Sequence, residues 1–379
     1  MLPVDKSNGY LSSAFDVYLR SGSIIDIWTV YAIIKRVRVM PVCPPVSFGS
    51  GGFLYGGIMA EKSYKSYRQQ LNILRSRGMV IGKGSQSSRV MRILERENYY
   101  NVINGYKDHF LAVAATPTSE EIYKTGTSFD EVYALYNFDR ELRNIYLKYL
   151  LKIENTFKTV IAHEFSAKYG HDNYLKIENF DTSCEHNISS AIKLIGDIQQ
   201  EIARQMSKHH QVVTHYMTRH GYIPLWVLVN VLTFGKIEAF YNNLKPVDKT
   251  IVARQFNLQP DELSKFMHML ALARNKCAHD ERFFDIKFTQ QIHTRSIKNF
   301  SVLGIVRAAD GSYTYGTNDA YAIAIMFALL LSKTDVNEFV SSMKAEFGKL
   351  QKQLHTIPAS DVMTAMGFDS NWQNLSKLV

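Results

Sequence analysis

The sequence predicts an all-α protein, a multi-helix bundle with a small β-hairpin near residues 302–316 and a helical C-terminal segment. Three observations predict it. Apolar residues recur at helical spacing in block after block between Tyr64 and Leu354. Helix-ending Gly and helix-starting Pro punctuate those blocks, as at Gly78, Gly170, Pro224 and Pro260. Strand-like patterning is confined to residues 301–317, where two short apolar runs flank Asp310-Gly311, a pair suited to a primed hairpin turn.

Taken in order, residues 1–58 carry Pro41, Pro44, Pro45 and a Gly-rich run with little helical period, the pattern of a poorly ordered N-terminal extension. Met59 opens the regular pattern, so translation of the working protein is expected to start there. Residues 59–300 form the expected helical domain, and 301–379 add the hairpin and C-terminal helices on the same body. Tyr67, Leu71 and Leu74 mark a first helix stopped by Gly78, and Val90, Ile93 and Leu94 a second from about Ser88. Thr127 or Ser128 can cap a helix with an acidic first turn, which continues to about residue 168 as one very long helix or two. Further helices are expected over 187–216, with Ile192, Leu194, Ile195 and Ile198 on the buried side, and over 225–232, 235–244, 246–256, 260–278, 319–331, 335–354 and 361–366.

A net charge of +9, of which +2 falls in residues 1–58, favours a polyanionic partner. Cys43, Cys184 and Cys277 are odd in number and widely spaced, which argues against a disulfide framework or a thiolate zinc site and for a reducing cytoplasm. The most apolar early run, residues 24–34, is too short to span a bilayer, so no membrane association is expected. No cofactor or metal is expected either. His209, His210, His215 and His220 lack the i, i+4 pairing a helical zinc site uses.

The chemistry-bearing stretch ends the 260–278 helix. Arg274, Asn275 and His279 fall at about 0°, 100° and 140° around it, while Phe266, Leu270, Ala273 and Cys277 face the other way. Cleaving RNA without a metal needs a group that moves the 2′-hydroxyl proton and a cation for the charged transition state, and His and Arg supply both. Asn275 can orient the imidazole or hold a phosphate oxygen. Asp280, Glu281 and Arg282 are candidate supporting or RNA-contact groups. The same residues read equally well as a structural polar cluster at a helix end. Spacing alone decides little, since Arg204 and His209 repeat it on what reads as a solvated face. Asp139 and Arg143, with Arg140 beside them, form an i, i+4 pair that reads first as a solvated ion pair and second as support for the site.

The run Leu272-Ala-Arg-Asn-Lys-Cys-Ala-His-Asp-Glu-Arg282 resembles the R-N-x-x-x-H motif of HEPN ribonuclease domains, in the form found in the Abi-like abortive-infection family of the AbiD/AbiF type. The likeness extends through Gln70, Arg77-Gly78, Tyr99-Tyr100, Gly105-Tyr106, Tyr136-x-Phe-Asp-Arg-Glu-Leu-Arg143, Ile153-Glu154, Pro224-x-Trp226, Phe234-Gly235 and Met366-Gly-Phe to Trp372, covering residues 60–375. It implies a HEPN-like all-α phage-defence protein whose motif cleaves RNA, with Arg274 and His279 as the catalytic pair and Asn275 beside them. It further implies a homodimer that joins two motifs, and a bound structured noncoding RNA. The alternative is a non-catalytic RNA-binding module of a defence or toxin-antitoxin system, in which the same face holds RNA without cutting it.

Overall fold

A single helix of 41 residues, Phe129–Tyr169, organises the computed structural model. It answers the question the sequence left open, one helix or two. The Ser128 hydroxyl accepts from the Glu131 amide and the Glu131 carboxylate accepts from the Ser128 amide, a capping box that fixes the start. Gly170, at φ +89°, ends it in a conformation closed to most side chains. Its buried row runs from Phe129 through Leu135, Leu142, Tyr146, Leu150 and Phe157 to Phe165. The structure describes residues 63–116, 119–292, 297 and 300–378; the expected extension and the Met59 start lie outside them.

In chain order the described helices of four or more α-helical residues are α1 (Tyr67–Ser76), α2 (Ser85–Glu97), the long helix α3, α4 (Glu185–Ser207), α5 (Gln211–His220), α6 (Leu225–Leu228), α7 (Phe234–Asn243), α8 (Pro246–Arg254), α9 (Pro260–Ala278), α10 (Ala320–Leu330), α11 (Lys333–Gln353) and α12 (Ala359–Ala365). Helices α9 and α11 pack most extensively on α3, and α10 is buried along almost its whole length. Tyr146, fully buried on α3, meets the rings of Phe283, Phe339 and Phe327 at 4.9, 5.3 and 5.4 Å. Each such contact contributes about 0.5–1.5 kcal/mol beyond its buried area. Tyr64–Val379 form one compact unit.

The chain is therefore all-α, as its periodicity predicts, with local departures. A two-stranded antiparallel sheet joins Leu111–Val113 to Ile122–Tyr123. At the expected hairpin, Gly311 turns with φ +80°, but the pairing is one antiparallel bridge, Arg307 to Tyr313, and residues Phe300–Leu303 form a 3-10 turn instead of a strand. The continuous helix expected over 187–216 breaks into α4 and α5 at His209, whose backbone is left-handed at φ +52°. Ile192, expected inside, is exposed, as is Tyr67. Only one helical turn, α6, forms in the 225–232 run.

Candidate active site at the end of helix α9

Helix α9 starts at Pro260 with acids Asp261 and Glu262 in its first turn and turns one face, Phe266, Leu270, Ala273 and Cys277, into the core. Burial pushes the Cys277 thiol up to about 12, which makes it a packing group and not a nucleophile. His279 is the C-terminal cap, exposed, its amide donating to the Asn275 carbonyl at 3.0 Å. It lines a cleft of about 500 Å³ whose other walls include Tyr100, Asn101, Tyr106, Tyr136, Lys276 and Arg282. Tyr100 opens a π-helical turn, Tyr100–Asn104, and is exposed.

The residues after His279 hold this corner in place. Asp280 has a left-handed backbone, φ +57°, which turns the chain sharply off the helix. Its carboxylate is bound by the Arg143 guanidinium. Arg143 also donates to Asp139 at 2.6 Å, and Asp139, fully buried, accepts from the Tyr106 hydroxyl at 2.6 Å and from the amides of Phe283 and Phe284 at 3.1 and 2.7 Å. Burial raises the Asp139 pKa against the opposing pull of Arg143 and the three other donors. Burial and the adjacent carboxylate also raise the Tyr106 phenol. The Asp139–Arg143 pair is thus buried, where the sequence read it first as solvated. Two amides and one guanidinium tie residues 280–284 to α3, and Phe283 docks on Tyr146.

Arg282 also packs inward. It pairs with Asp285, reaches the Gly105 carbonyl and lies 5.0 Å over the Phe284 ring. Lys276 and Glu281 form an exposed pair at 2.8 Å. Arg140 binds Glu97 at 2.8 Å and the Tyr136 hydroxyl at 2.6 Å, at the far wall of the cleft. Although burial opposes it, hydrogen bonds from Arg140, Arg96 and Tyr136 keep the Glu97 carboxyl below its usual range.

The three motif residues do not share this cleft. Among the described residues its lining takes His279 and leaves out Arg274 and Asn275. Asn275 is exposed, and the partly exposed Arg274 lies along α3, its Nε donating to Glu154 at 3.1 Å. Glu154 is buried and also bound by Lys158 at 2.8 Å. The second Arg-x-x-x-x-His match is spent locally, Arg204 on Glu201 at 3.1 Å and His209 in the break after α4.

Sequence reasoning gave no role to Tyr106 and none to Glu154 as the partner of Arg274. For Glu154 and Asp139 the signal was present, since each falls on the apolar row of α3 and is a carboxylate placed where a core residue belongs. Tyr106 carried no signal beyond aromatic core.

An all-α bundle that builds an exposed His and Asn and a partly exposed Arg on the last turns of one core helix defines a class of helical proteins with a polar motif at a helix end. A sequence model of the Abi-like protein family matches residues 92–285, more than half of the chain and a span from within α2 to just past Phe284. The chain belongs to the Abi-like protein family. No curated protein and no solved structure matches it.

Proposed function

We propose that this chain acts in abortive infection, the phage-defence role that membership of the Abi-like protein family supports, as an AbiD/AbiF-type, metal-independent HEPN endoribonuclease. One observation carries the reading: His279 stands exposed on a cleft wall while Asp280, immediately after it, is clamped by the buried Arg143–Asp139 pair. A residue type able to exchange protons near neutral pH is thereby presented to solvent from a rigid support. His279 takes the 2′-hydroxyl proton as the 2′-oxygen attacks phosphorus and the bond to the 5′-oxygen breaks, the leaving oxygen gaining its proton from solvent; Arg274 stabilises the negative charge on the phosphorane oxygens, and Asn275 holds one of them.

Because Arg274 and His279 do not line a common cleft within one chain, the working site is completed by a second copy. Leu272 on α9 and Leu151 on α3 are exposed apolar side chains close in sequence to Arg274 and its partner Glu154, and they belong to the dimer seam on this reading. A structured noncoding RNA, as a regulator, fits the basic charge of the chain.

The second reading, RNA held without cleavage, is favoured by one feature, the carboxylate already bound to Arg274. Expression of wild type, His279→Ala and Arg274→Ala separates the two. The nuclease reading expects growth arrest and RNA decay from wild type alone, with all three proteins folded and binding RNA. Equal toxicity and equal RNA decay from all three would exclude it.

A further inference from the structure

Outside the α9 corner, a row of exposed and partly exposed rings lies where α5 turns into α6. Trp226 and His171 are 5.7 Å apart between centroids, His171 and Tyr222 5.2 Å, Tyr222 and His220 6.1 Å, and His220 and Tyr216 5.5 Å, with His215 5.5 Å beyond Tyr216. The interplanar angles along the row from Trp226 to Tyr216 run from 38° to 54°, so these rings do not cover one another by stacking. Trp226 is 53% exposed. The reason is local: α6 is a single turn that buries Leu225 and Leu228, and Trp226, between them, points outward. The turn is fixed by the Leu225 amide donating to His171 at 2.8 Å and by the buried Tyr174 hydroxyl donating to the Ile223 carbonyl at 2.9 Å.

The chain that carries most of this row is poor in acids. From Ile202 to Ile237 there is no Asp or Glu, against Arg204, Lys208, Arg219, Lys236 and four histidines. Glu201 takes Arg204 and Lys236, and among the described residues no carboxylate pairs with Lys208 or Arg219. Asp172, beside His171, is the nearest acid in sequence to the row. Trp226 also borders a cavity of about 660 Å³ shared with Ala162, Ser166, Val229 and Asn230. Ser166 Oγ is buried there without a hydrogen-bond partner. Open aromatic faces, with Arg219 next to His220 in the chain and free of a carboxylate, are what a strand of unpaired bases uses, since stacking needs open rings and the backbone needs positive charge.

We propose that this ring row is a binding platform for single-stranded RNA, with one unpaired base against Trp226 and at the mouth of the Ser166 cavity. It shares no residue with the His279 cleft. The choice of RNA as the polyanion rests on the function proposed above; the platform itself does not need cleavage.

The test uses the full chain carrying His279→Ala, the substitution that removes cleavage on the function proposed above, so that binding is read on intact RNA. A single-stranded adenylate 12-mer should quench the part of the tryptophan emission that disappears in Trp226→Phe, and a blunt RNA duplex of the same length should not. By anisotropy of a labelled 12-mer, Trp226→Ala should bind about tenfold more weakly and Trp226→Phe should retain most of the affinity. Absence of quenching, equal quenching by the duplex, or unchanged affinity in a folded Trp226→Ala protein would overturn the platform. Cleavage that survives His279→Ala would instead sink the proposed function and leave the quenching result standing.

Discussion

Arg143, at 2% exposure on the long helix α3, binds the carboxylate of Asp280, the residue that follows the candidate catalytic His279. It joins the core of the bundle to the corner where the motif emerges. Removing Arg143 leaves Asp139 buried with its charge unpaired, which costs about 3–5 kcal/mol. Arg143→Met should lower the free energy of unfolding by that amount in urea titrations. A loss below 1 kcal/mol would show that the pair holds nothing.

Asp280→Gly separates support from stability. Glycine adopts φ +57° freely, and the Asp280 carboxylate is largely exposed, so stability should change by less than about 1 kcal/mol. RNA cleavage should fall at least about tenfold as the corner loses its clamp. Full activity in a folded Asp280→Gly protein would remove the clamp from the account.

Glu131 gives the fold a pH dependence. It caps α3 and accepts from the amides of His355 at 2.7 Å and Thr356 at 2.6 Å, joining the helix start to the chain after α11. Burial works to raise its pKa, but the Thr356, Ser128 and His355 hydrogen bonds win and lower it from 4.5 to about 2. The folded pKa lies below the unfolded one, so the contribution is complete above about pH 4.5 and fades as pH falls towards 2. Glu131→Gln should cost about 2 kcal/mol at pH 7. Thermal unfolding across that range should show mutant and wild type converging; a constant gap would contradict the assignment.

Among the described cysteines, Cys184 is exposed and Cys277 is buried with its thiol pushed to about 12. Iodoacetamide at pH 8 should modify Cys184 in the native protein and reach Cys277 only after denaturation, as read by peptide mass spectrometry. Native labelling of Cys277 would mean that the core face of α9 opens.

The bonded state of Arg274 is also testable. Glu154→Gln removes the carboxylate that holds its Nε and should raise RNA affinity about two- to fivefold, on the scale of a partly exposed ion pair. Weaker binding by that protein would show that Glu154 presents Arg274 instead of restraining it.

Much of the fold was legible because the signals were local. Ser128 and Glu131 three residues on, Gly170, Pro260 and the apolar row of α9 each specify a helix boundary or face without reference to the rest of the chain. What the sequence hid depended on partners. Strands of two and three residues at Leu111–Val113 and Ile122–Tyr123 are too short to display alternation. The break at His209 rests on a left-handed residue that is not glycine. The burial of Asp139 and Arg143 follows from residues more than 130 positions away packing on α3, so an i, i+4 pair looked like surface until the Asp280 contact and the Phe283 and Phe284 amides were placed. At the site itself, 140° between Arg274 and His279 passed for one face, yet their side chains meet different surroundings.

Cleavage by the purified chain in EDTA measures the central claim most directly. Wild type should cut single-stranded RNA and leave 2′,3′-cyclic phosphate ends, the product of 2′-hydroxyl attack. His279→Ala and Arg274→Ala should each bind the RNA and lower the rate at least about a hundredfold. Co-expression of the two variants, followed by purification of the mixed dimer, should restore part of the activity if each site takes Arg274 from one copy and His279 from the other. Equal cleavage by all three single proteins, or none by wild type under any buffer that keeps it folded and RNA-bound, would contradict the account.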